Sequence, residues 1–303
     1  MPASSMPARP RVTAIIPTYN RSRVLRHAVA SVLGQSFADF ELLVVGDGCT
    51  DDSAAVVAAF ADPRLRWINL PANSGHQSGP NNEGLRQAEG ALIAYLGHDD
   101  LWMRHHLATL VAGIDAGADL VCSLNQLVGP GERFFDLAPP RPAYVPGMSI
   151  TPSSLMHRRR VTERIGGWRD YREIALDPEA DLCQRATAAG FSLTILPRLT
   201  AVKFPAAWRR DAYRRGDDRE QAAWAARIAA EPDIEQREMV RLVYAGKLGG
   251  MSRMRPYRLL WADLWRETLR RCALRLRARR FSLAGKGGRV DAARRYKGLA
   301  RRP

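Results

Sequence analysis

Apolar positions along this chain follow two alternating rhythms. Val12–Pro17 is a short β-branched run, and Ser22–Gln35 then sets Val24, Leu25, Ala28, Val29, Val32 and Leu33 at helical spacing, which predicts a strand followed by a helix. Phe40–Val45 reads as a second buried strand closed by Gly46-Asp47-Gly48. Asp52 or Ser53 can cap the next helix, whose face includes Val56, Val57 and Phe60. Leu65–Leu70 and Ala91–Leu96 are predicted strands with a helix through Gly84–Ala88 between them. Helical spacing returns from Met103 to Ile114 and leads into a strand over Asp119–Leu124. Strands alternating with helices imply parallel βαβ units, so the chain up to residue 125 is expected to form a doubly wound α/β layer.

The pattern then changes. Gly129–Gly147 carries five Pro and three Gly and reads as a loop or lid, because such a segment extends neither a helix nor a central strand. Order returns at Ser153–Met156 and at Ile165-Gly166-Gly167-Trp168. A helix follows over Glu179–Ala189, stopped by Gly190, and then a last strand over Ser192–Leu196. Past Trp208 the spacing is helical over Gln221–Ala230, Ile234–Leu248 and a long segment from Tyr257 to about Phe281.

Composition narrows the class. Of 303 residues, 46% are apolar and 25% charged, which permits a substantial core. No apolar run approaches the ~18 residues of a membrane-spanning helix. Residues 1–10 are mostly Pro, Ala and Ser and read as a disordered lead-in with no secretory apolar segment behind them. Cys49, Cys122, Cys183 and Cys272 stand far apart without a CxxC pair, which fits a reducing cytoplasm rather than a disulfide framework or a zinc site.

The net charge of +15 is uneven. Residues 251–303 hold 17 of the 46 Lys and Arg against three acids, Asp263, Glu267 and Asp291, so the body is nearly neutral and a nucleic-acid partner is not expected. In that basic tail Leu260, Leu264, Cys272 and Leu276 share one row of a helix, Trp261, Trp265 and Leu269 the adjoining row, and Arg266, Arg270, Arg277 and Arg280 the opposite side. Such a stripe through residues 257–281 fits an anionic membrane surface, with packing on the chain's own core as the competing reading.

In a parallel sheet a ligand lies beyond the carboxyl ends of the strands, and the chemistry-bearing residues of this chain cluster there. Pro17-Thr18-Tyr19-Asn20-Arg21 follows the first strand, Asp47-Gly48 the second and His98-Asp99-Asp100 the fourth. A Tyr ring can stack on a base, a carboxylate can accept from a base or ribose, and adjacent Asp side chains can hold a hard cation on a diphosphate. With no GxGxxG and no Walker lysine loop, a dinucleotide or P-loop site is disfavoured. Plainer roles compete: Asp47-Gly48 as a turn, Asp99-Asp100 as a helix cap, Tyr19 as core packing.

The chain resembles the family 2 glycosyltransferases, inverting enzymes with the GT-A fold, over roughly residues 11–204. The matching strings are Ile15-Ile16-Pro17-Thr18-Tyr19-Asn20-Arg21, Val44-Val45-Gly46-Asp47-Gly48-Cys49-Thr50-Asp51-Asp52-Ser53 and Asn82-Glu83-Gly84. Further on come Leu96-Gly97-His98-Asp99-Asp100-Leu101-Trp102, Ile165-Gly166-Gly167-Trp168 and Glu179-Ala180-Asp181-Leu182-Cys183-Gln184-Arg185. The resemblance implies an α/β fold: a GT-A-like doubly wound, mostly parallel sheet with a helical, basic C-terminal extension. It divides the chain into the lead-in 1–10, a glycosyltransferase domain 11–204 and a helical extension 205–303, strongly basic from 251. Within the domain, 11–125 would be the nucleotide-binding half and 126–204 the acceptor half.

Carried onto this sequence, the resemblance gives Thr18 and Tyr19 to the base and Asp47 to the base or ribose. Pro17, Asn20, Arg21, Asn82, His98 and Asp100 join them as nucleotide-sugar-binding candidates. Asp99 falls on the last Asp of the family's D-x-D and is the expected ligand of a divalent cation, Mg²⁺ or Mn²⁺. The family most often has Asp where Gly46 and Gly97 stand and frequently Arg where Asn81 stands. His98 is at most a weak additional metal ligand, because imidazole suits Zn²⁺ better than Mg²⁺.

Inverting transfer needs a general base, and the matching segment is Asp177-Pro178-Glu179-Ala180-Asp181. Pro favours the first helical position, so Asp177 is expected at the N-cap with its carboxylate on backbone N–H groups. Glu179 is the favoured base, with Asp177 and Asp181 as alternatives. The plainer reading is a helix N-terminus enriched in acids for its dipole. The function expected is transfer of a sugar from a nucleotide-sugar donor to an acceptor hydroxyl on a glycan or lipid-linked sugar, in cell-surface polysaccharide or glycolipid assembly. The protein would be cytoplasmic or peripheral on the inner face of the membrane. The alternative is a catalytically weak nucleotide-sugar-binding protein whose basic tail binds membrane or nucleic acid. A nucleotidyltransferase lacks its basic Gly-rich loop.

Overall fold

The computed structural model describes residues 9–132, 135–139, 142–251 and 288–299. Strands β1 (Val12–Thr18), β2 (Phe40–Gly46), β3 (Leu65–Asn69) and β4 (Leu92–Tyr95) lie parallel in the order β3-β2-β1-β4. Every residue of β1, β2 and β4 is buried. These strands therefore read in the sequence as unbroken apolar runs rather than alternating ones. Helices α1 (Ser22–Leu33), α2 (Ser53–Ala58) and α3 (Ser78–Gln87) make the crossovers. Helix α3 starts earlier than its apolar spacing suggests, because its first turns are Ser-Gly-Pro-Asn-Asn. At Gly84 a Cβ would come within 2.7 Å of the Ile15 side chain, so glycine lets this helix sit close on β1.

The second half contributes β5 (Leu101–Trp102), α4 (His106–Asp115), β6 (Leu120–Val128), β7 (Phe135–Ala138), β8 (Leu155–Arg158), α5 (Arg159–Ile165), α6 (Pro178–Ala188) and β9 (Leu193–Lys203). Among the described residues these strands complete a nine-stranded sheet. The second half brings in antiparallel pairs: β8 runs antiparallel to both β4 and β6, β7 to β6, and β5 to β9, while β6 and β9 are parallel.

Two details differ from the sequence pattern. The segment Gly129–Gly147 contains β7, which fits into the Pro-free stretch ahead of Pro139 and pairs with β6. Strand β9 continues through Pro197, where the reading from sequence ends, because shifts in its register with β6 absorb the proline.

The chain continues through α7 (Ala212–Arg215), α8 (Arg219–Ala230), α9 (Ile234–Met251) and α10 (Gly288–Tyr296). Trp224 of α8 and Ile234 of α9 share a core with Leu101, Met103, Leu199, Val202 and Phe204, so these helices seal the far edge of the sheet. The expected lead-in up to residue 8 and the expected helix from Tyr257 to Phe281 lie outside the described residues.

The short antiparallel pair β5–β9 has the largest consequence. With Leu101 opposite Val202, the preceding residue, Asp100, faces Lys203. The Lys203 Nζ donates to Asp100 Oδ2 at 2.8 Å, the Phe204 N–H donates to Oδ1 at 3.0 Å, and the Ser153 hydroxyl donates to Oδ2. Asp100 is fully buried by these partners. It locks the fold together instead of facing a ligand, which corrects its expected role in donor binding. Asp100→Asn should lower stability by about 2–4 kcal/mol, because it leaves the Lys203 ammonium without its counter-charge. Thermal unfolding would register this as a fall in Tm of roughly 5–15 °C. An unchanged Tm would mean that the pair does not hold the sheet edge.

Candidate active site

The first group of side chains stands at the carboxyl ends of β1 and β2. Thr18 closes β1; it is buried, and among the described residues its Oγ1 has no hydrogen-bond partner. Asp47 follows β2, donates its N–H to Thr18 O at 2.8 Å, and accepts from the N–H groups of Ser74 (2.6 Å) and Gly75 (3.1 Å). It therefore anchors the loop before α3 beside the strand ends. Pro17 is buried within β1 and Tyr19 is half-buried in the loop after it.

Asn20 adopts a left-handed φ of 47° and accepts from the N–H groups of Thr50 and Asp51, at 2.8 and 3.3 Å. It stitches the two loops together. Asn82 holds both backbone groups of Trp168, donating to its carbonyl at 2.8 Å and accepting from its N–H at 2.9 Å. Both amides, expected from the sequence to bind the donor, make these tertiary hydrogen bonds in the folded chain. Arg21 reaches across to α7, donating to Ala212 O at 2.6 Å with its guanidinium 5.1 Å from the Tyr213 ring.

The second group follows β4. His98 is buried, its Nε2 lies 3.5 Å from the Tyr213 hydroxyl, and among the described residues its Nδ1 makes no geometrically sound hydrogen bond. Burial pushes its pKa down to about 4, so it is neutral near pH 7. Beside it, burial alone would push the Asp99 carboxyl up, but the protonated form of His98, with Lys203, Arg21 and Lys297, holds it below the ordinary carboxylate value, and near pH 7, where His98 is neutral, the Lys and Arg charges remain. Asp99 is thus an ionised carboxylate.

Two glycines explain the carboxylates missing from these loops. At Gly97 a Cβ would sit 2.9 Å from Asp100 Oδ2, and at Gly46 it would sit 2.5 Å from Asn69 Oδ1 and 2.8 Å from the Trp67 ring. Among the described residues no three His, Cys, Asp or Glu side chains gather as a metal cluster. One hard carboxylate suits a cation such as Mg²⁺ that arrives with phosphate oxygens and waters as its other ligands, so Asp99 fits that limited role.

The third group begins α6. Asp177 is the N-cap with extended backbone and Pro178 takes the first helical position, as the sequence suggests. The Asp177 carboxylate, however, makes no capping hydrogen bond, contrary to the expectation drawn from the sequence. A backbone N–H of the first turn, that of Glu179, instead serves Glu179's own carboxylate. Glu179 is half-buried, with the Ser149 hydroxyl 3.5 Å from its Oε1. Burial and the neighbouring Asp177 charge push its pKa above the ordinary glutamate value. Asp181 is committed elsewhere: it accepts from Arg185 at 2.7 Å, and Arg185 also binds the carbonyls of Ile165 and Gly167. Through Arg185 it anchors the Gly166-Gly167 turn.

These groups converge. The charges of Lys203 and Lys297 act on both Asp99 and Glu179, which joins the β4 loop and the start of α6 in one electrostatic site. Burial works against the Lys203 charge, but Asp100 and Asp99 outweigh it and raise its pKa. The site thus holds two carboxylates driven in opposite directions, one low and one high, the usual arrangement for dividing electrostatic and proton-transfer roles. Lys203, Tyr213 and Lys297 had not been singled out. The strand predicted over Ser192–Leu196 stops short of Lys203, and nothing in the local sequence marks Tyr213 or Lys297.

The family model for glycosyl transferase family 2 matches residues 13–166. A Campylobacter jejuni GalNAc(5)-diNAcBac-PP-undecaprenol beta-1,3-glucosyltransferase is 34% identical over 113 residues, covering 36% of each chain. The Escherichia coli UDP-Glc:alpha-D-GlcNAc-diphosphoundecaprenol beta-1,3-glucosyltransferase WfgD is 34% identical over 96 residues, covering 32% of this chain and 38% of that one. The matched stretch is about a third of the length of these curated relatives. Among solved structures, the Pyrobaculum calidifontis mannosyltransferase PcManGT in complex with GDP-Man and Mn²⁺ superposes with a TM-score of 0.53 at 20% identity, covering 83% of both chains. S. aureus TarS in complex with UDP-GlcNAc superposes with a TM-score of 0.52 at 18% identity, covering 73% of this chain and 67% of that one. At such identity the structures speak for the shared fold. With just over half of its residues matched by the family model, the chain belongs to glycosyl transferase family 2.

Proposed function

We propose that this chain is an inverting glycosyltransferase that moves a sugar from a nucleotide-diphosphate donor to an acceptor hydroxyl. The observation that carries the reading is the family match over residues 13–166 together with the placement of Thr18, Asp47 and Asp99 at the carboxyl ends of β1, β2 and β4. Thr18, Tyr19 and Asp47 line the base and ribose end, and Asp99 stands at the diphosphate. Glu179 accepts the proton of the acceptor hydroxyl as its oxygen forms a bond to the anomeric carbon from the face opposite the leaving diphosphate. The bond from that carbon to the diphosphate oxygen breaks with inversion. A divalent cation, when bound at Asp99, supplies charge neutralisation to the leaving diphosphate. The names of the matched relatives support a UDP-sugar donor and a lipid-linked acceptor, hence a role in surface polysaccharide or glycolipid assembly.

The basic stretch from residue 251 belongs to the same proposal as an attachment to anionic membrane, which would confine enzyme and lipid-linked acceptor to one surface. Among the described residues no helix is long and apolar enough to cross a membrane.

Incubation with a panel of nucleotide sugars and Mn²⁺ should release nucleoside diphosphate, and a chelator or Asp99→Ala should abolish that release. Loss of the charge that neutralises the leaving group removes several kcal/mol of transition-state stabilisation. Chelator-insensitive turnover, or an active Asp99→Ala, would remove the residue from the reaction.

Glu179→Gln should cut kcat by roughly 10²- to 10⁴-fold with donor affinity unchanged. Because only the ionised carboxylate accepts the proton, the wild-type rate should fall as pH drops through the raised Glu179 pKa, so the acidic limb should lie above 4.5. A limb at or below that value, or a dead Asp177→Asn beside an active Glu179→Gln, would move the base elsewhere. Sedimentation with vesicles should show that the protein prefers anionic to neutral lipid, that salt weakens binding, and that the double substitution Trp261→Ser, Trp265→Ser reduces it. Equal partitioning on both lipids would leave the tail as packing.

A further inference from the structure

The last described segment, α10 with Lys297 and Gly298, carries part of the charge that in the sequence looks like mere surplus in a basic tail. In the folded chain it lies against the site. The Asp211 N–H donates to Tyr296 O at 3.0 Å and the Tyr213 N–H donates to Lys297 O at 3.2 Å, so two backbone bonds tie the end of α10 to α7. Gly298 makes the turn with a φ of 87°, and a Cβ there would come within 3.2 Å of Asp211 and Arg214. At its other contacts, Arg294 donates to Gly75 O, and the Tyr171 hydroxyl donates to Asp291 at 3.2 Å.

Two of these anchors, at Gly75 and Tyr213, lead to the site. Gly75 is bound through its own N–H to Asp47. The Tyr213 ring stands edge-on to His98, with centroids 5.9 Å apart, next to Asp99. The segment therefore bridges the loop after β2 and the loop after β4. Lys297 sits at this bridge, and its charge acts on Asp99, Glu179 and His98.

The charge balance indicates what belongs there. Lys203 is matched by Asp100. Arg21, Arg294 and Lys297 face Asp47, Asp99 and Glu179, and among the described residues the Lys297 ammonium has no ion-pair partner of its own. Burial works against the Lys297 charge, and Asp99 and Glu179 offset this only in part, so its pKa is lowered. A half-buried ammonium without an ion-pair partner is satisfied by an anion.

We infer that the C-terminal segment 288–299 is a wall of the donor site and that Lys297 is a ligand of the donor's diphosphate, held in position by the bonds of Tyr213 and Arg294. This rests on the glycosyltransferase reading and adds to it a binding residue more than a hundred positions from the others.

The test is calorimetric titration of the full chain in Mn²⁺ buffer with UDP, GDP, CDP and dTDP. The tightest of these is then compared with its parent nucleoside for wild type, Lys297→Met and Lys297→Arg, with melting curves confirming the fold of each. Lys297→Met should weaken the diphosphate by roughly tenfold or more while leaving the nucleoside within about twofold, and Lys297→Arg should retain most of the affinity. A Lys297→Met protein that binds the diphosphate as wild type does, or that loses diphosphate and nucleoside alike, would overturn this inference alone. A wild type that binds none of the four would overturn the donor-site reading, and this inference with it.

Discussion

The ion pair between Asp100 and Lys203 decides what every other charged group in this site can do. It lies where β5 meets β9, with the carboxylate fully buried and further bound by Ser153 and Phe204. A buried pair of this kind is a poor source of net stability, because desolvation offsets most of the attraction, but losing one partner is costly. Its effect is to select an arrangement. Of two adjacent aspartates one is drawn into the fold, and the other is left ionised at the strand end, held so by the surrounding cations.

The environment then separates the two remaining carboxylates. Asp99 sits among His98, Lys203, Arg21 and Lys297 and is held low. Glu179 sits half-buried beside Asp177 and is held high. Neither value is a property of the residue type; both follow from which loops the sheet brings together. The antiparallel pair β5–β9 brings Lys203 to the loop after β4, where its charge acts on both Asp99 and Glu179.

Much of this was legible in the sequence, for identifiable reasons. Buried parallel strands are continuous apolar runs, so β1, β2 and β4 stood out, and the residues just after them followed. Asp177 and Pro178 announce a helix start whatever surrounds them. What could not be read depends on tertiary partners. Asp99 and Asp100 are equivalent as letters and are told apart only by the β5–β9 register. Asn20 and Asn82 lie in ligand-facing strings, yet their amides are claimed by Thr50 and by Trp168. Strand β9 runs through a proline that local rules take as a stop. Lys297 counts as surplus charge until the turn at Gly298 brings it against residues some two hundred positions away.

The claim on which the account rests is that Asp99 and Glu179 face one anomeric carbon from opposite sides. The most direct measurement is a crystal structure of the complex with a hydrolysis-resistant nucleotide-sugar analogue. The account predicts the diphosphate against Asp99 and the open face of the anomeric carbon toward Glu179. A donor bound away from the ends of β1 and β4, or Glu179 on the leaving-group side of that carbon, would contradict it.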